Sequence, residues 1–202
     1  MRNAYTLIGV TALIVIAGAW YAFNSSTDTS ITSSRTGSMA LSLTSPAFTQ
    51  GTSIPSQFTC DAENISPPLQ ISGVPEGTVS LALLMDDPDI PQVFKEQRGI
   101  DSFDHWTLFN ISPPPAGGVT EIAQAGSVGT AGANGAGKSE YTGPCPPREY
   151  EPSEHRYFFR LYALDIELPL QASASKTDVL KAMEGHIIEQ TELMGKYKRV
   201  TQ

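Results

Sequence analysis

The sequence predicts a mainly β domain, a sandwich-like body with helices at its periphery. Three runs carry that prediction: VSLALLM (79–85), HWTLFNI (105–111) and RYFFRLYALDI (156–166). Each has strand length and an apolar or aromatic composition suited to burial. The first is stopped by Asp86-Asp87-Pro88 and the second by Pro113-Pro114-Pro115, residues that end strands and open turns. Several strands followed by one late helical pattern imply an all-β body that the helix flanks.

The chain opens on residues 5–23, YTLIGVTALIVIAGAWYAF, without a charge. That run is close to the roughly 20 residues a helix needs to cross a bilayer. Arg2 precedes it and no basic residue follows until Arg35, so the amino end is expected inside and the rest outside the cytoplasm. Ala17-Gly18-Ala19 fits a signal cleavage site loosely, whereas Trp20, Tyr21 and Phe23 suit a membrane interface. The expectation is a single-pass anchor over 1–23, with secretion the outcome if the segment is cleaved. Residues 24–40 are Ser/Thr-rich and aperiodic, a flexible tether. Residues 41–202 then form one domain. With Arg2, Arg35 and Asp28 set aside, that domain has 11 basic and 20 acidic residues, a net of −9. An acidic surface argues against nucleic acid and anionic lipid as partners.

Within the domain, LSLTS (41–45) and SQFTC (56–60) alternate and read as short strands. Residues 60–77 hold Pro67, Pro68 and Pro75 and are mostly loop, with a short strand over 69–71. The three buried runs follow, and a long Gly/Ala-rich loop, 116–154, separates the last two. The carboxy-terminal stretch KTDVLKAMEGHIIEQTELMGKYKR (176–199) reads as an amphipathic helix. Val179, Leu180, Met183, Ile187 and Met194 fall mainly on one face, Ser175 or Thr177 caps the start, and basic residues gather at the end.

Residues 132–139, GANGAGKS, match the phosphate-loop pattern GxxxxGK[ST] letter by letter. That motif needs a buried strand before it and a helix after it. Here AQAGSVGTA precedes and the proline-rich EYTGPCPPREYEP follows, so a flexible loop is the better reading. His186, beside Met183 and Ile187, reads as a packing residue. MDDPDIP places Asp86, Asp87 and Asp89 at one strand end. The three cannot all be buried together, because like charges repel, and at least one is expected to turn inward toward backbone or histidine N–H groups. His105 and His155 each open an apolar run, which places both imidazoles near a sheet edge. A carboxylate such as Asp87 would fix one ring's tautomer. Cys60 and Cys145 either form a disulfide, which export permits, or remain two buried thiols.

Taken as an ordered set, ENISPPL (63–69), DDPDIP (86–91), DHW (104–106), GPCPP (143–147), EHRYFFRLYALD (154–165) and the final EGHIIEQTELMGKY resemble the phosphatidylethanolamine-binding protein family, in particular its bacterial and archaeal Raf-kinase-inhibitor-like branch. The resemblance spans about residues 41–200. It implies two antiparallel sheets with a small surface pocket that binds anions such as phosphate, phosphorylated head groups or carboxylates. By motif, the ligand-binding residues are Asp87, Asp89, Pro91, His105, Pro147, His155 and Tyr157, and Asp87 orients a histidine without touching the ligand. Imidazole and phenol would supply the hydrogen-bond donors. This chain departs from the family pattern at Asp104 and Glu154, one before each histidine. Two added carboxylates there are expected to weaken anion binding or raise the histidine pKa values.

The function expected is an extracytoplasmic binding module for a small anionic or phosphorylated ligand, with a protein partner of unknown identity and no cofactor. One alternative is a hydrolase using Asp87, His105 and His155, with or without a metal. Ser66 is the nearest nucleophile candidate for it, and no oxyanion device accompanies that serine. A second alternative is a protease inhibitor that acts by surface contact.

Overall fold

The computed structural model describes residues 40–199. The expected membrane segment, and all but the last residue of the expected tether, lie outside that range. Among the described residues no helix is long and apolar enough to cross a membrane.

Among the described residues eight strands form two antiparallel sheets. The small sheet contains β1 (Ser42–Thr44), β2 (Leu69–Ser72) and β5 (Thr120–Ile122), in the order β1-β2-β5. The large sheet contains β3 (Ser80–Asp87), β4 (Phe103–Ile111), β6 (Thr130–Ala131), β7 (Glu154–Leu164) and β8 (Ile187–Lys198), in the order β6-β4-β3-β7-β8. The expected β sandwich is therefore present. Its main core lies between the sheets, where Leu43, Leu69, Ile71 and Ile122 meet Leu81, Leu83, Met85, Leu108, Phe159 and Leu161.

Strand β3 is buried along its whole length, and its two faces serve different layers because side chains alternate. Leu81, Leu83 and Met85 enter the main core. Ala82 and Leu84 point to the opposite face and meet Val179 and Met183 of α2 (Lys176–Met183). That is why the sequence of β3 is a continuous apolar run and not an alternating one. The alternation continues through the last two residues. Asp86 lies on the α2 side, bonded to Arg160 and 3.5 Å from Lys176, while Asp87 takes the other side.

Two expectations from the sequence are corrected. The helix expected over 176–199 ends at Met183. Gly185 follows with φ 80°, and residues Ile187–Lys198 form β8, the longest strand. β8 pairs with β7 from Glu154↔Lys198 to Leu164↔Ile187. In its second half Leu193, Gly195 and Tyr197 are buried between more exposed neighbours, a period of two that the helical pattern of Val179, Met183 and Ile187 obscured. Close packing fixes the strand here, since a Cβ on Gly195 would lie 2.5 Å from Ile54 Cγ1. Met194 and Ile187 therefore do not share a helical face with Met183. The second correction concerns 56–60, expected as a strand. Residues Ser56–Phe58 form a 3-10 turn, entered from Pro55. The long loop of 116–154 contains the short strands β5 and β6, and the stretch between 91 and 99 contains a helix, α1 (Gln92–Arg98).

Candidate functional site

The site lies where β3 ends and where β4 and β7 begin. It is a surface cavity of about 300 Å³, lined by Asp87 and Pro91, by His105, by Thr142, Gly143, Cys145 and Pro147, by His155, and by Ile90, Phe94, Arg98, Ile100 and Phe103. Five of the seven residues expected from the sequence thus share one cavity: Asp87, Pro91, His105, Pro147 and His155. Two do not line it. Asp89 turns outward, where its carboxylate accepts from the Arg156 backbone N–H at 2.9 Å and from the Arg156 guanidinium at 2.6 and 2.8 Å. The nearby cation holds the Asp89 carboxyl below the usual carboxylate range, against the upward pull of partial burial. Tyr157 lies behind the cavity, fully buried, with its ring edge-on to His105 at 5.2 Å and stacked on His155 at 6.4 Å.

Backbone irregularity aims His105. In the β3–β4 ladder Met85 faces Trp106 and Asp86 faces Asp104, so His105 is an extra residue with no partner on β3. Such a bulge redirects a side chain, and here it places the ring on the cavity side of the sheet. The Nδ1 atom of His105 then lies 2.6 Å from the Thr142 carbonyl oxygen. A carbonyl only accepts, so Nδ1 bears the hydrogen and Nε2 is the free nitrogen. Burial lowers the His105 pKa below the ordinary histidine value, against the upward pulls of the Thr142 carbonyl and of Asp87.

His155 is held from the other side. Its Nδ1 is 2.7 Å from Asp87 Oδ2, and both side chains are buried. A second Asp87 oxygen accepts from the Asp89 backbone N–H at 2.8 Å. Asp87 therefore orients His155, the role the family resemblance implies for it. The Nε2 atom of His155 is buried and has no hydrogen-bond partner. Burial first, and then the Asp87 charge, push the Tyr157 phenol well above its usual pKa, while the Cys145 backbone pulls weakly the other way.

The 141–147 wall is tied to the segment that carries the 3-10 turn. Cys60 and Cys145 form a disulfide with Cα atoms 5.4 Å apart. The Cys60 N–H donates to the Pro144 carbonyl at 3.1 Å, and Tyr141 donates to the Phe58 carbonyl at 2.7 Å. Asn64 Oδ1 accepts from the Gly143 N–H at 2.8 Å, which gives the ENIS segment its structural meaning. Gly143 must be glycine there, because a Cβ would meet the Phe58 carbonyl oxygen at 2.3 Å. The phosphate-loop look-alike has a structural part in this wall. Asn134 within it accepts from the N–H groups of Ala136 and Lys138 and donates to Thr142 Oγ1 at 2.9 Å. The next element after that segment is strand β7, not a helix.

The carboxylates expected to disturb the site turn away from it. Asp104 is 2.8 Å from Lys176 Nζ, and Glu154 is half exposed and 3.8 Å from Lys196 Nζ. Neither lines the cavity. The expected rise in histidine pKa is corrected for His105, where desolvation outweighs the carboxylates. His186 is not a packing residue either. It is partly exposed and its Nδ1 is 2.8 Å from Asp165 Oδ1. Ser66 lies outside the cavity, with its hydroxyl 3.5 Å from the Gly126 carbonyl.

The residues that sequence reasoning missed belong to α1. Phe94 and Arg98 stand at helical spacing from the expected Pro91, the residue that caps α1, and all three present one face to the cavity. Arg98 makes no hydrogen bond or ion pair among the described residues and stands exposed at the mouth. The signal was the i, i+3, i+7 spacing, together with Gly99 closing the helix in the left-handed region (φ 65°). Among the described residues no group of three or more His, Cys, Asp or Glu side chains is arranged to hold a metal ion.

Comparison with known proteins agrees with this fold. The family model described as phosphatidylethanolamine-binding protein matches residues 44–198. A UPF0098 protein of Methanothermobacter thermautotrophicus is 46% identical over 162 residues, 79% of this chain and 99% of that one. One of Chlamydia pneumoniae is 42% identical over 160 residues, with the same coverages of 79% and 99%. Among solved structures, the putative phosphatidylethanolamine-binding protein homolog CT736 of Chlamydia trachomatis aligns with a TM-score of 0.71 at 39% identity, over 80% of this chain and 99% of that chain. Escherichia coli YbcL, described as a member of the mammalian family, aligns with a TM-score of 0.68 at 25% identity, over 80% and 100%.

Proposed function

This chain belongs to the phosphatidylethanolamine-binding protein family, and we propose that its cavity binds a small anionic or phosphorylated ligand outside the cytoplasm. One observation carries the reading: a buried imidazole nitrogen, His155 Nε2, has no partner and its ring lines an open cavity. Leaving a buried polar atom unpaired costs about 1–3 kcal/mol, a cost a ligand would offset. The ring of His105 joins it. An apolar collar of Ile90, Phe94, Ile100 and Phe103 surrounds the two, and the unpaired guanidinium of Arg98 stands at the entrance. Apolar walls with a few convergent polar groups suit a small organic ligand, and a guanidinium at the mouth suits an anionic one.

The extracytoplasmic placement is supported by the uncharged run at 5–23 and by a disulfide, which persists in oxidising compartments. A hydrolase that forms a covalent intermediate on a hydroxyl or thiol would need one free at the cavity. The one side-chain hydroxyl in the lining is Thr142 Oγ1, which already accepts from Asn134, and the one lining sulfur is in the disulfide. Titration of the full chain with phosphate and with phosphoethanolamine, followed by the NMR signals of His105 and His155, tests the binding reading. Shifts at both rings are expected, and shifts at neither would overturn it.

A further inference from the structure

We propose that the Cys60–Cys145 disulfide is a thiol-exchange centre: a small-molecule thiol attacks Cys145 Sγ from the cavity side, and Cys60 is the sulfur that departs and later re-forms the bridge. The inference does not depend on which ligand the cavity binds. Exchange needs a thiolate to reach one of the two sulfurs, so exposed disulfides are the reactive ones. Cys145 is exposed, between the buried Pro144 and Pro146, and it lines the cavity. Cys60 is only partly exposed and does not line the cavity. The two sulfurs are therefore unequal, and a thiol of small size in a cavity of about 300 Å³ meets Cys145 first.

In the exchange step the incoming thiolate forms a bond to Cys145 Sγ while the bond from Cys145 Sγ to Cys60 Sγ breaks. The electron pair of the broken bond leaves on Cys60 Sγ, which takes up the proton that the incoming thiol released. The incoming sulfur is oxidised, Cys60 is reduced, and the product is a mixed disulfide on Cys145. The acidic neighbour of the departing sulfur does not oppose its charge. Asp61 already accepts from the Tyr197 hydroxyl at 2.7 Å and from Arg199 at 2.8 and 2.9 Å, with Arg148 3.9 Å away. The two segments also stay together once the bridge opens. The Cys60 N–H to the Pro144 carbonyl, the Tyr141 hydroxyl to the Phe58 carbonyl and the Gly143 N–H to Asn64 Oδ1 join them without it. A thiol held beside its target has a high effective concentration. Cys60 therefore attacks Cys145 Sγ in turn, expels the small thiol and restores the bridge. A second small thiol competes with it by attacking the adduct, which releases a small disulfide and leaves both cysteines reduced.

The test treats the full chain with 2-mercaptoethanol under native conditions, quenches with N-ethylmaleimide at intervals and maps both groups by peptide mass spectrometry. Early samples are expected to carry the mercaptoethanol adduct on Cys145 and the maleimide on Cys60, at least about tenfold over the reverse assignment, since access selects the sulfur attacked. Equal adducts on the two sulfurs, or reaction only at urea concentrations that unfold the chain, would overturn the proposal. A second arm reduces the chain fully and returns it to native buffer with the oxidised dimer of 2-mercaptoethanol. The Gly143 and Cys60 amide signals should keep their folded dispersion in the reduced chain. The bridge should then close at least about tenfold faster than in the urea-unfolded chain, where the tethering is lost. Loss of those amide signals on reduction, or equal closure rates, would remove Cys60 from the resolving role and overturn the exchange centre. Neither arm adds an anionic ligand, so the anion-binding reading stands or falls on its own titration.

Discussion

Each cavity imidazole is fixed through Nδ1, and for His105 burial of the ring decides what happens as pH changes. The folded-state pKa of His105 lies below its unfolded value of about 6.5. As pH falls through 6.5 the unfolded chain takes up a proton that the folded chain refuses. The stability that neutral His105 supports is therefore complete above the unfolded pKa and declines as pH falls toward the depressed folded value. Urea midpoints at pH 7.5 and 5.5 should show a smaller loss in His105→Gln than in the parent chain. At the cavity mouth, Arg98→Gln should weaken methyl phosphate binding about five- to tenfold, the scale of one charge-assisted hydrogen bond. It should leave the melting temperature unchanged, because the exposed Arg98 side chain makes no hydrogen bond or ion pair among the described residues. Calorimetric titration and a thermal scan check the two halves. At this scale the sequence was informative where chemistry is rare. Two histidines and an Asp-Asp-Pro turn stood out against apolar runs, and Asp87, His105 and His155 do meet. Arg98 was illegible because its significance depends on which face of a seven-residue helix covers the cavity. Tyr157 was assigned to the lining because its motif gives a residue type without a depth.

Among the elements, the strands buried on both faces were legible and the two-faced carboxy-terminal segment was not. VSLALLM has one reading, since an uninterrupted apolar run of that length between turn signals suits a buried strand. The last 24 residues before Val200 contain a helix and a strand joined at Gly185. Their apolar residues happen to continue the helical spacing for one further turn. Pairing with all of β7 decided the outcome, a tertiary preference that local periodicity does not contain. The cavity wall depends on close approach in the same way. Gly143→Ala would force a Cβ against the Phe58 carbonyl and Asn64 Oδ1. The expected cost is about 1–3 kcal/mol by urea denaturation, with a matching disturbance of the Cys145 amide and Pro147 side-chain signals in NMR spectra.

On the scale of the whole domain, two layers share the large sheet. One face closes the main core and the other receives α2, and the last two residues of β3 divide between them. Asp86 ties the helix side through Arg160 and Lys176, while Asp87 serves the cavity. The disulfide joins positions 85 residues apart. Reduction should lower the unfolding free energy by about 2–4 kcal/mol, from restored freedom in the unfolded chain. Because the bridge anchors the 141–147 wall, reduction should also weaken ligand capture. Parallel urea titrations and methyl phosphate titrations, with and without reductant, measure both effects.

The bulge at His105 carries one more implication. Trp106 already opposes Met85, and Asp104 already opposes Asp86. Excising His105 would cost the ladder none of these pairings and would leave the two strands in step from Leu83 to Asp87. The architecture could thus outlive its recognition chemistry: a lineage that shed this single codon would keep the scaffold and lose half of the imidazole pair.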